Sequence, residues 1–221
     1  MRNGLRPAKP IRSVALLGAH CDDIAIGAGG LLLSMAGALT EVHALVLTGG
    51  GTAREAEEHA ALDAFCARPV KPAVLDLPDG RLPAHWAAVK EAVEELRAHC
   101  EPDLVLAPHP ADAHQDHRLL AELVPTVFRE HLVLGYEIPK WDADTGSPPV
   151  LVPLSGELVQ RKTALLGEHY PSQRARSWFD PRTFEGLARI RGVQCHAEYA
   201  EAFHTTKLTM TFEGADSCTS W

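Results

Sequence analysis

The chain has 221 residues, of which 46% are hydrophobic, enough for one large domain with a substantial buried core. Its formal net charge of −8 argues against a nucleic-acid backbone as a general partner, because phosphate binding needs an excess of Lys and Arg. No apolar run approaches the ~18 residues that a membrane span requires, so no span is predicted. Five cysteines, an odd number, follow a basic opening at residues 1–12 that lacks the apolar core of a signal peptide, which predicts reduced thiols in a cytoplasmic protein.

Short apolar segments alternate with helix-forming segments over the first 139 residues. The predicted strands are Ser13–Gly18, Val42–Leu47, Ala73–Leu77, Asp103–Ala107 and Leu132–Ile138. The predicted helices are roughly Ile24–Ala38, Arg54–Ala67, His85–His99 (with Trp86, Val89, Val93 and Leu96 on one apolar stripe) and His114–Glu130, which Pro125 must kink or divide. Strands separated by helices imply right-handed crossovers and a mostly parallel sheet. The predicted fold class is therefore α/β, a Rossmann-like three-layer sandwich.

The alternation breaks after Pro139. Helices are predicted at Leu158–His169 and Thr183–Arg191, and the segment between Trp141 and Pro149 is a turn-rich loop. We expect residues 1–212 to form a single domain, with a core at about 13–139 and a helical and loop extension at about 140–208 that packs on the sheet. Residues 213–221 are small and polar and are predicted to be a mobile tail.

The first cluster of reactive side chains, Ala19-His20-Cys21-Asp22-Asp23, follows a predicted buried strand directly. His20 and Asp23 lie three residues apart, so both can reach one metal ion while Asp22 points to a different side as a proton acceptor. The alternative is that one aspartate merely caps the following helix. The glycines of Gly27-Ala28-Gly29-Gly30 also raise a dinucleotide-binding hypothesis, but close packing of a helix on the sheet explains them better.

The second cluster runs from His109 to His117, about ninety residues later, where another predicted strand gives way to a helix. His114 and His117 are three apart at the helix start and share a face, whereas Asp116 can hydrogen-bond a neighbouring imidazole and fix its tautomer. The alternative is a polar helix start with Asp112 as its cap. Together the two clusters offer three ligands, His20, Asp23 and His117, and a catalytic zinc site needs three plus an open position.

At these residues the chain resembles the PIG-L/LmbE-like family of zinc-dependent N-acetylglucosaminyl deacetylases. The family motif Ala-His-Pro-Asp-Asp-Glu stands here as Ala19-His20-Cys21-Asp22-Asp23-Ile24, and its His-x-Asp-His motif matches His114-Gln115-Asp116-His117. The similarity extends from about Val14 to Thr209. Cys21 in place of proline and Ile24 in place of the acidic residue are departures, and neither removes an implied ligand or base.

The resemblance implies a role for each matched residue. It implies that His20, Asp23 and His117 bind Zn²⁺ or another divalent transition metal, and that Asp22 is the general base. It implies that His114 stabilises the oxyanion or protonates the leaving amine, best when protonated, with Asp116 tuning it; Arg54 and Asp79 fall near positions that contact substrate. Cys21 as a fourth ligand is disfavoured, since it would close the site.

The function expected from the sequence is removal of an N-acetyl group from an amino-sugar glycoconjugate or natural-product intermediate. The alternatives are a zinc amidase acting on a non-sugar N-acyl or thiol-conjugate substrate, a nucleotide-binding Rossmann enzyme without metal, and a catalytically silent metal-binding module. Homo-oligomerisation is left open. Four aromatic residues could stack on sugar rings, although packing is the more common role: Trp141, Trp178, Phe179 and Tyr170. A phosphate on the substrate could be bound by Arg54, Arg174, Arg176 or Lys140, and a solvated surface explains these cations equally well.

Overall fold

The computed structural model describes residues 4–7 and 9–210, so the predicted tail at 213–221 and Cys218 lie outside the described residues. The strands are β1 Ser13–Gly18, β2 Glu41–Val46, β3 Ala73–Val74, β4 Leu104–Pro108, β5 Val133–Tyr136, β6 Val150–Leu154 and β7 Tyr199–His204. The helices are α1 Asp23–Met35, α2 Ala53–Cys66, α3 Trp86–Ala98, α4 Gln115–Val127, α5 Gly156–His169 and α6 Pro181–Gln194. Short 3₁₀ turns lie at Leu82–His85 and Pro171–Gln173.

All seven strands join one sheet in the order β3-β2-β1-β4-β5-β7-β6. The first five strands of that order are parallel, and β7 runs antiparallel to both of its neighbours. Alternate residues of β1 enter two separate cores: Val14 and Leu16 pack under α1 and α2, whereas Ala15 and Leu17 pack under α3 and α4. Helices therefore cover both faces of a mostly parallel sheet, and the predicted α/β three-layer fold is confirmed.

The extension differs from the prediction in one respect, because β6 and β7 join the sheet in addition to the helices that pack on it. Pro153 lies inside β6, which is tolerated because β6 is the edge strand of the sheet. The alternating pattern of β7 is masked by Glu201, a buried carboxylate in the middle of the strand. A proline in β6 and a glutamate in β7 concealed both strands from a hydrophobicity pattern.

Glu201 is buried because it is paired. Its carboxylate accepts hydrogen bonds from the Lys162 ammonium (2.7 Å) and from the backbone N–H groups of Gly30 (2.6 Å) and Leu31 (2.7 Å) in α1. Lys162 also donates to the carbonyl oxygen of Ile26. A buried charge needs a charged partner and further hydrogen bonds. Glu201 and Lys162 of α5 are each other's charged partner, and the backbone of the helix that starts at the first cluster supplies the further hydrogen bonds.

The glycines of α1 allow the helix to lie close to its neighbours. A Cβ at Gly27 would overlap the ring of Tyr136, and one at Gly29 would lie 2.7 Å from the Phe65 ring. A Cβ at Gly30 would lie 2.8 Å from the Glu201 carboxylate. Close packing is therefore the physical reason for these glycines, as predicted, and no space is left beside them for a dinucleotide.

Three local predictions were wrong in detail. The third strand has two residues and ends before Leu77. Trp86 is 49% exposed and does not join Val89 and Val93 in the core. The last helix of the parallel half is not divided by Pro125 but continues to Val127, although proline lacks the N–H and crowds the preceding turn.

Candidate active site

Both clusters lie at the carboxyl edge of the sheet, where central strands β1 and β4 end side by side. The chain passes outward from β1 through β2 to β3 on one side and from β4 to β5 on the other, so the strand order reverses between β1 and β4. Open parallel sheets form ligand crevices at such a reversal. The register, with Val14 opposite Leu104 and Leu16 opposite Leu106, brings the residues that follow the two strands together.

The structure brings His20, Asp23 and His117 into one compact group. His20 Nδ1 lies 3.1 Å from His117 Nε2, and Asp23 Oδ2 lies 3.3 Å from His20 Nδ1 and 3.2 Å from His117 Nε2. Tetrahedral zinc with bonds of ~2.0–2.1 Å separates its ligand atoms by about 3.3 Å. Two imidazole nitrogens and one carboxylate oxygen at these separations fit one such ion, and all three residues are buried.

A second group of donors shares His20. Its Nε2 lies 3.1 Å from Asp79 Oδ1 and 3.2 Å from Asp116 Oδ2, and the His20 and His114 rings are 4.8 Å apart between centroids. Ligand atoms of His20, Asp79, His114 and Asp116 all lie within 4.8 Å of one another, as do those of His20, His114 and His117. His20 is therefore the residue that both groups of donors have in common.

The pKa values of Asp23 and His20 are shifted in the directions that favour an ionised carboxylate beside a protonated imidazole. Burial opposes ionisation of Asp23, but the neighbouring His117, Lys140 and His20 lower its pKa well below the ordinary value. Burial also opposes protonation of His20, yet Asp23 raises the pKa of that imidazole well above its ordinary value. Asp23 is thus ionised across the physiological range, the form in which a carboxylate binds a cation.

Asp22 lies outside the three-residue group. Its Oδ2 is 3.0 Å from the Arg54 guanidinium, and the residue is buried. Burial raises the pKa of Asp22, while Lys140 and Arg54 act in the opposite direction. Adjacent carboxylates thus occupy different environments, as the motif predicts for a ligand beside a proton acceptor.

His114 begins α4 in a position that defines its protonation. Its Nδ1 accepts a hydrogen bond from the backbone N–H of Asp116 at 3.3 Å, so the neutral ring carries its proton on Nε2. Burial and the nearby His117 lower the pKa of His114. The structure therefore favours a neutral imidazole with an Nε2–H donor, in contrast to the protonated ring expected from the sequence.

Asp116 acts on two histidines, through its N–H on His114 and through its carboxylate on His20. Its carboxylate lies against His20 rather than His114, and it also accepts hydrogen bonds from the N–H groups of Gly80 (2.7 Å) and Leu82 (3.0 Å). Asp116 therefore ties the loop after β3 to the candidate site. The carboxylate beside His117 Nδ1, at 2.9 Å, is that of Asp112, whose other oxygen accepts from the His114 N–H at 2.7 Å. The N-cap of α4 is His114 and not Asp112, so the capping alternative named the wrong residue.

Two further side chains contact the first cluster in ways that sequence reasoning did not predict. Lys140, which follows β5, reaches to 3.4 Å from Asp23 Oδ1. Glu58 of α2 accepts a hydrogen bond from the backbone N–H of Asp22 at 2.9 Å. The spacing of Arg54 and Glu58, four residues apart on one helix, is the only available signal, and α2 carries other acidic residues that obscure it.

A cleft of about 320 Å³ opens beside His20 and is lined by Thr48, Gly49, Arg54 and Asp79, among others. The guanidinium of Arg54 is engaged with Asp22 and with the carbonyl oxygen of Cys21, so it supports the base as well as lining the cleft. The Cys21 thiol points to the Thr48 carbonyl oxygen at 3.5 Å, and burial raises its pKa, which disfavours a thiolate ligand.

The four aromatic residues that could stack on sugar rings differ in their solvent exposure. Trp178, Phe179 and Tyr170 are buried and pack in the core, as the alternative to sugar stacking predicts. Trp141 is 66% exposed and follows Lys140 directly. Trp141 is therefore the one member of this set that is available to a ligand.

None of the helices in residues 4–7 and 9–210 is both long enough and apolar enough to cross a bilayer.

Comparisons with known structures show the same fold. N,N'-diacetylchitobiose deacetylase from Pyrococcus horikoshii is 21% identical with a TM-score of 0.70, covering 89% of this chain and 84% of that one. A deacetylase of teicoplanin biosynthesis is 18% identical with a TM-score of 0.66, covering 87% and 96%. The 4-carboxy-2-hydroxymuconate hydratase GalB of Pseudomonas putida KT2440 is 16% identical with a TM-score of 0.68, covering 91% and 99%. Since one of these proteins is a hydratase, the fold by itself does not decide the reaction.

The sequence profile described as PIG-L, GlcNAc-PI de-N-acetylase, matches residues 15–128, just over half of the chain, and includes both clusters. On this match the chain belongs to the PIG-L family.

Proposed function

We propose that this protein is a metal-dependent N-deacetylase that removes the acetyl group from an amino sugar in a glycoconjugate or natural-product intermediate. The observation that carries the proposal is the group of His20 Nδ1, Asp23 Oδ2 and His117 Nε2, whose mutual distances of 3.1–3.3 Å suit one divalent ion. Membership of the PIG-L family supports the same reaction class. One structural neighbour is a deacetylase of N,N'-diacetylchitobiose, which supports an amino sugar as the substrate, and another is a deacetylase of teicoplanin biosynthesis, which supports a natural-product intermediate.

His20, Asp23 and His117 would hold the ion. When bound, a divalent ion such as zinc polarises an amide carbonyl and lowers the pKa of a water molecule to about 7. Asp22 lies beside this group without belonging to it and is the residue to accept a proton from the attacking water. Its raised pKa brings its basicity closer to the working pH, while Arg54 keeps its carboxylate oriented.

His114 contributes a hydrogen bond to the developing oxyanion. Its Nε2–H is free to donate in the neutral ring, because Nδ1 is occupied by the Asp116 N–H. Removing one such donor costs roughly 10²–10³ in turnover in known amide hydrolases. The amine nitrogen must gain a proton before the C–N bond breaks, and Asp22, having taken one from water, is the residue that can return it.

The cleft beside His20 is the proposed substrate site. Asp79 lines it with its side chain largely open to solvent, and the hydrogen bond from His20 holds the pKa of Asp79 at about 2. A carboxylate in an open cleft suits the hydroxyl groups of a sugar, which can donate to it. Arg54 lines the same cleft, so a substrate oxygen can share its guanidinium with Asp22.

The decisive experiment pairs metal content with acetate release. Wild-type protein, Asp22→Asn and His117→Ala are each incubated with zinc, dialysed, and assayed with N-acetylglucosamine, N,N'-diacetylchitobiose and a non-sugar N-acetyl compound. We expect Asp22→Asn to retain metal and lose roughly 10²–10⁴ in turnover, and His117→Ala to lose both. Asp142→Asn, at an exposed position near Lys140, is the matched control and should behave as wild type.

Three outcomes would contradict the proposal. If Asp22→Asn loses its metal together with activity, Asp22 is a ligand rather than the base. If metal-loaded wild type releases acetate only from the non-sugar compound, the zinc amidase alternative is correct, and release from none of the three removes the deacetylase assignment.

A further inference from the structure

A buried carboxylate beneath the first cluster has no role in the proposed reaction. Glu58, on α2, is fully buried. Its Oε2 accepts two hydrogen bonds, one from the backbone N–H of Asp22 at 2.9 Å and one from the hydroxyl of Tyr170 at 2.8 Å. Its Oε1 has no hydrogen-bond partner among the residues that the structure describes. Burying an acidic side chain costs free energy, so its persistence requires a compensating interaction.

The backbone that Glu58 holds is strained. Asp22 has φ of 107° and ψ of −27°, a left-handed conformation that favours glycine. Two other non-glycine residues in the described part of the chain have positive φ, Ala67 and His196, and neither lies at the site. Such a conformation costs of order 1–3 kcal/mol and persists only where the surroundings impose it.

This conformation points the carboxylates of Asp22 and Asp23 in different directions. The turn at Asp22 sends its own carboxylate towards Arg54, while the next residue, Asp23, directs Oδ2 to His20 and His117. If Asp22 relaxed to an ordinary negative φ, the two side chains would change direction relative to each other. The amide plane between Cys21 and Asp22 is held on both sides, because the Asp22 N–H donates to Glu58 and the Cys21 carbonyl oxygen accepts from Arg54.

We propose that Glu58, oriented by Tyr170, is a positioning residue that holds the Asp22 amide in its left-handed conformation and so aims the catalytic carboxylate. The inference rests on the proposed function, since it assigns a reason for the geometry of the base. It also bears on Ile24, which stands where the family motif has an acidic residue. Ile24 is buried in the apolar core, and the carboxylate that supports the turn comes from α2 instead.

The chemistry of Glu58 suits a support rather than a reactant. Burial raises its pKa to about 8, so the side chain is largely neutral near pH 7. A neutral carboxyl still accepts both hydrogen bonds at its carbonyl oxygen, and it avoids a third negative charge beside Asp22 and Asp23. Tyr170 is itself fully buried, and its hydroxyl fixes the orientation of that oxygen.

The test compares variants that keep or remove the acceptor. Glu58→Gln retains a carbonyl oxygen for both donors, whereas Glu58→Met has similar volume and no acceptor of comparable strength. Tyr170→Phe removes one hydroxyl and keeps the ring. We expect Glu58→Met to lower kcat by about 10–100-fold, because a displacement of ~1 Å at a reacting group can cost 10²-fold. The KM and metal content of Glu58→Met should stay close to the wild-type values. The kcat of Tyr170→Phe should lie between those of Glu58→Met and wild type, and the kcat of Glu58→Gln should be close to that of wild type.

Two measurements distinguish a positioning role for Glu58 from a general loss of stability. The first is kcat of a variant that is destabilised elsewhere. Lys162→Met is the control, because it removes a buried charge against α1 outside the candidate site. It should destabilise the fold without lowering kcat at a temperature well below its Tm. The second measurement is hydrogen exchange at the Asp22 amide, which we expect to be protected in wild type and Glu58→Gln and about tenfold faster in Glu58→Met and Tyr170→Phe, as for a lost hydrogen bond worth about 1.4 kcal/mol.

The exchange readout is independent of activity. If wild type deacetylates no substrate, the proposed function fails, and the exchange rates alone still decide whether Glu58 holds the turn. Unchanged exchange in Tyr170→Phe and Glu58→Met overturns the inference; if Glu58→Met does not fold, unchanged exchange in Tyr170→Phe does so by itself. Equal loss of kcat in Glu58→Gln and Glu58→Met also overturns it, because the charge and not the acceptor would then matter.

Discussion

Replacing Asp112 tests the assignment of His117 as a metal ligand. The Asp112 carboxylate makes two separate contacts: Oδ2 lies 2.9 Å from His117 Nδ1, and Oδ1 accepts from the His114 N–H at 2.7 Å. In the neutral ring, the Asp112 carboxylate favours a proton on Nδ1, so that Nε2, which is directed at His20 and Asp23, is left for the ion. Asp112→Ala removes both contacts, whereas Asp112→Asn preserves the acceptor for His114.

Asp112→Asn is the more informative of the two variants. With its oxygen kept on the His114 N–H, its amide group donates to His117 Nδ1 and so moves the imidazole proton to Nε2, the nitrogen that should bind the ion. Loss of a carboxylate behind a ligating histidine typically costs 10–100-fold in metal affinity, about 1.4–2.8 kcal/mol. We expect Asp112→Ala to fall within that range and Asp112→Asn to lose at least as much, although it keeps the hydrogen bond from the His114 N–H.

The assay is competition for zinc against a chromophoric chelator, with Tm measured on each apo variant to confirm folding. Asp144→Asn is the matched control, because Asp144 accepts the neighbouring Ala113 N–H at 2.7 Å without touching His117. It should bind zinc as wild type does. Zinc affinity of Asp112→Asn equal to that of wild type would refute the reasoning, because His117 could not then bind through Nε2.

Three further predictions concern stability. Gly27→Ala places a methyl group against a buried aromatic ring, so Tm should fall by about 2–12 °C for an overpacking cost of ~1–3 kcal/mol. Gly37→Ala, which has open space around it, should not lower Tm. Equal effects of the two substitutions in a thermal melt would be inconsistent with close helix packing. Lys162→Met leaves the buried Glu201 carboxylate without its charged partner and should lower the free energy of unfolding in urea by ~3–5 kcal/mol. Lys90→Met, which removes a partly exposed pair, should lower it by ~0–1 kcal/mol. A loss below ~1 kcal/mol for Lys162→Met would contradict the prediction. The pKa of Glu58 rises on folding from 4.5 to about 8, so between these values the unfolded chain binds fewer protons than the folded one and stability falls with rising pH. The Tm of wild type relative to Glu58→Gln should therefore fall between about pH 5.5 and 8 and level off above, and a constant difference would show that Glu58 is not buried as an acid.

The parallel half of the fold could be predicted because local pattern and tertiary environment agree there. Strands buried on both faces appear in the sequence as short apolar runs, and β1, β2, β4 and β5 were each predicted within two residues of their observed bounds. Pro153 and Glu201 contradict that pattern in β6 and β7. Each is accommodated by a tertiary feature, an edge position or a paired lysine, that no local window contains.

The candidate site divides in the same way. His20, Asp23 and His117 could be proposed because their chemical types and their positions after two strands are visible in the sequence, and the structure brings them together. Glu58 and Asp112 could not be assigned their contacts. Each is one acidic residue among several, and its significance depends on which backbone or ring nitrogen lies about 3 Å away in the fold.

The pairing of Glu201 with α1 has a consequence for any attempt to shorten the chain. The family profile ends at residue 128, and a fragment cut there would still carry every side chain proposed to hold the ion. It would lack Lys140, Tyr170 and Glu201, which hold Asp23, Glu58 and the middle of α1 from the far side. The half of the sequence that identifies the family is therefore braced by the half that does not, and we expect a minimal deacetylase of this type to require both.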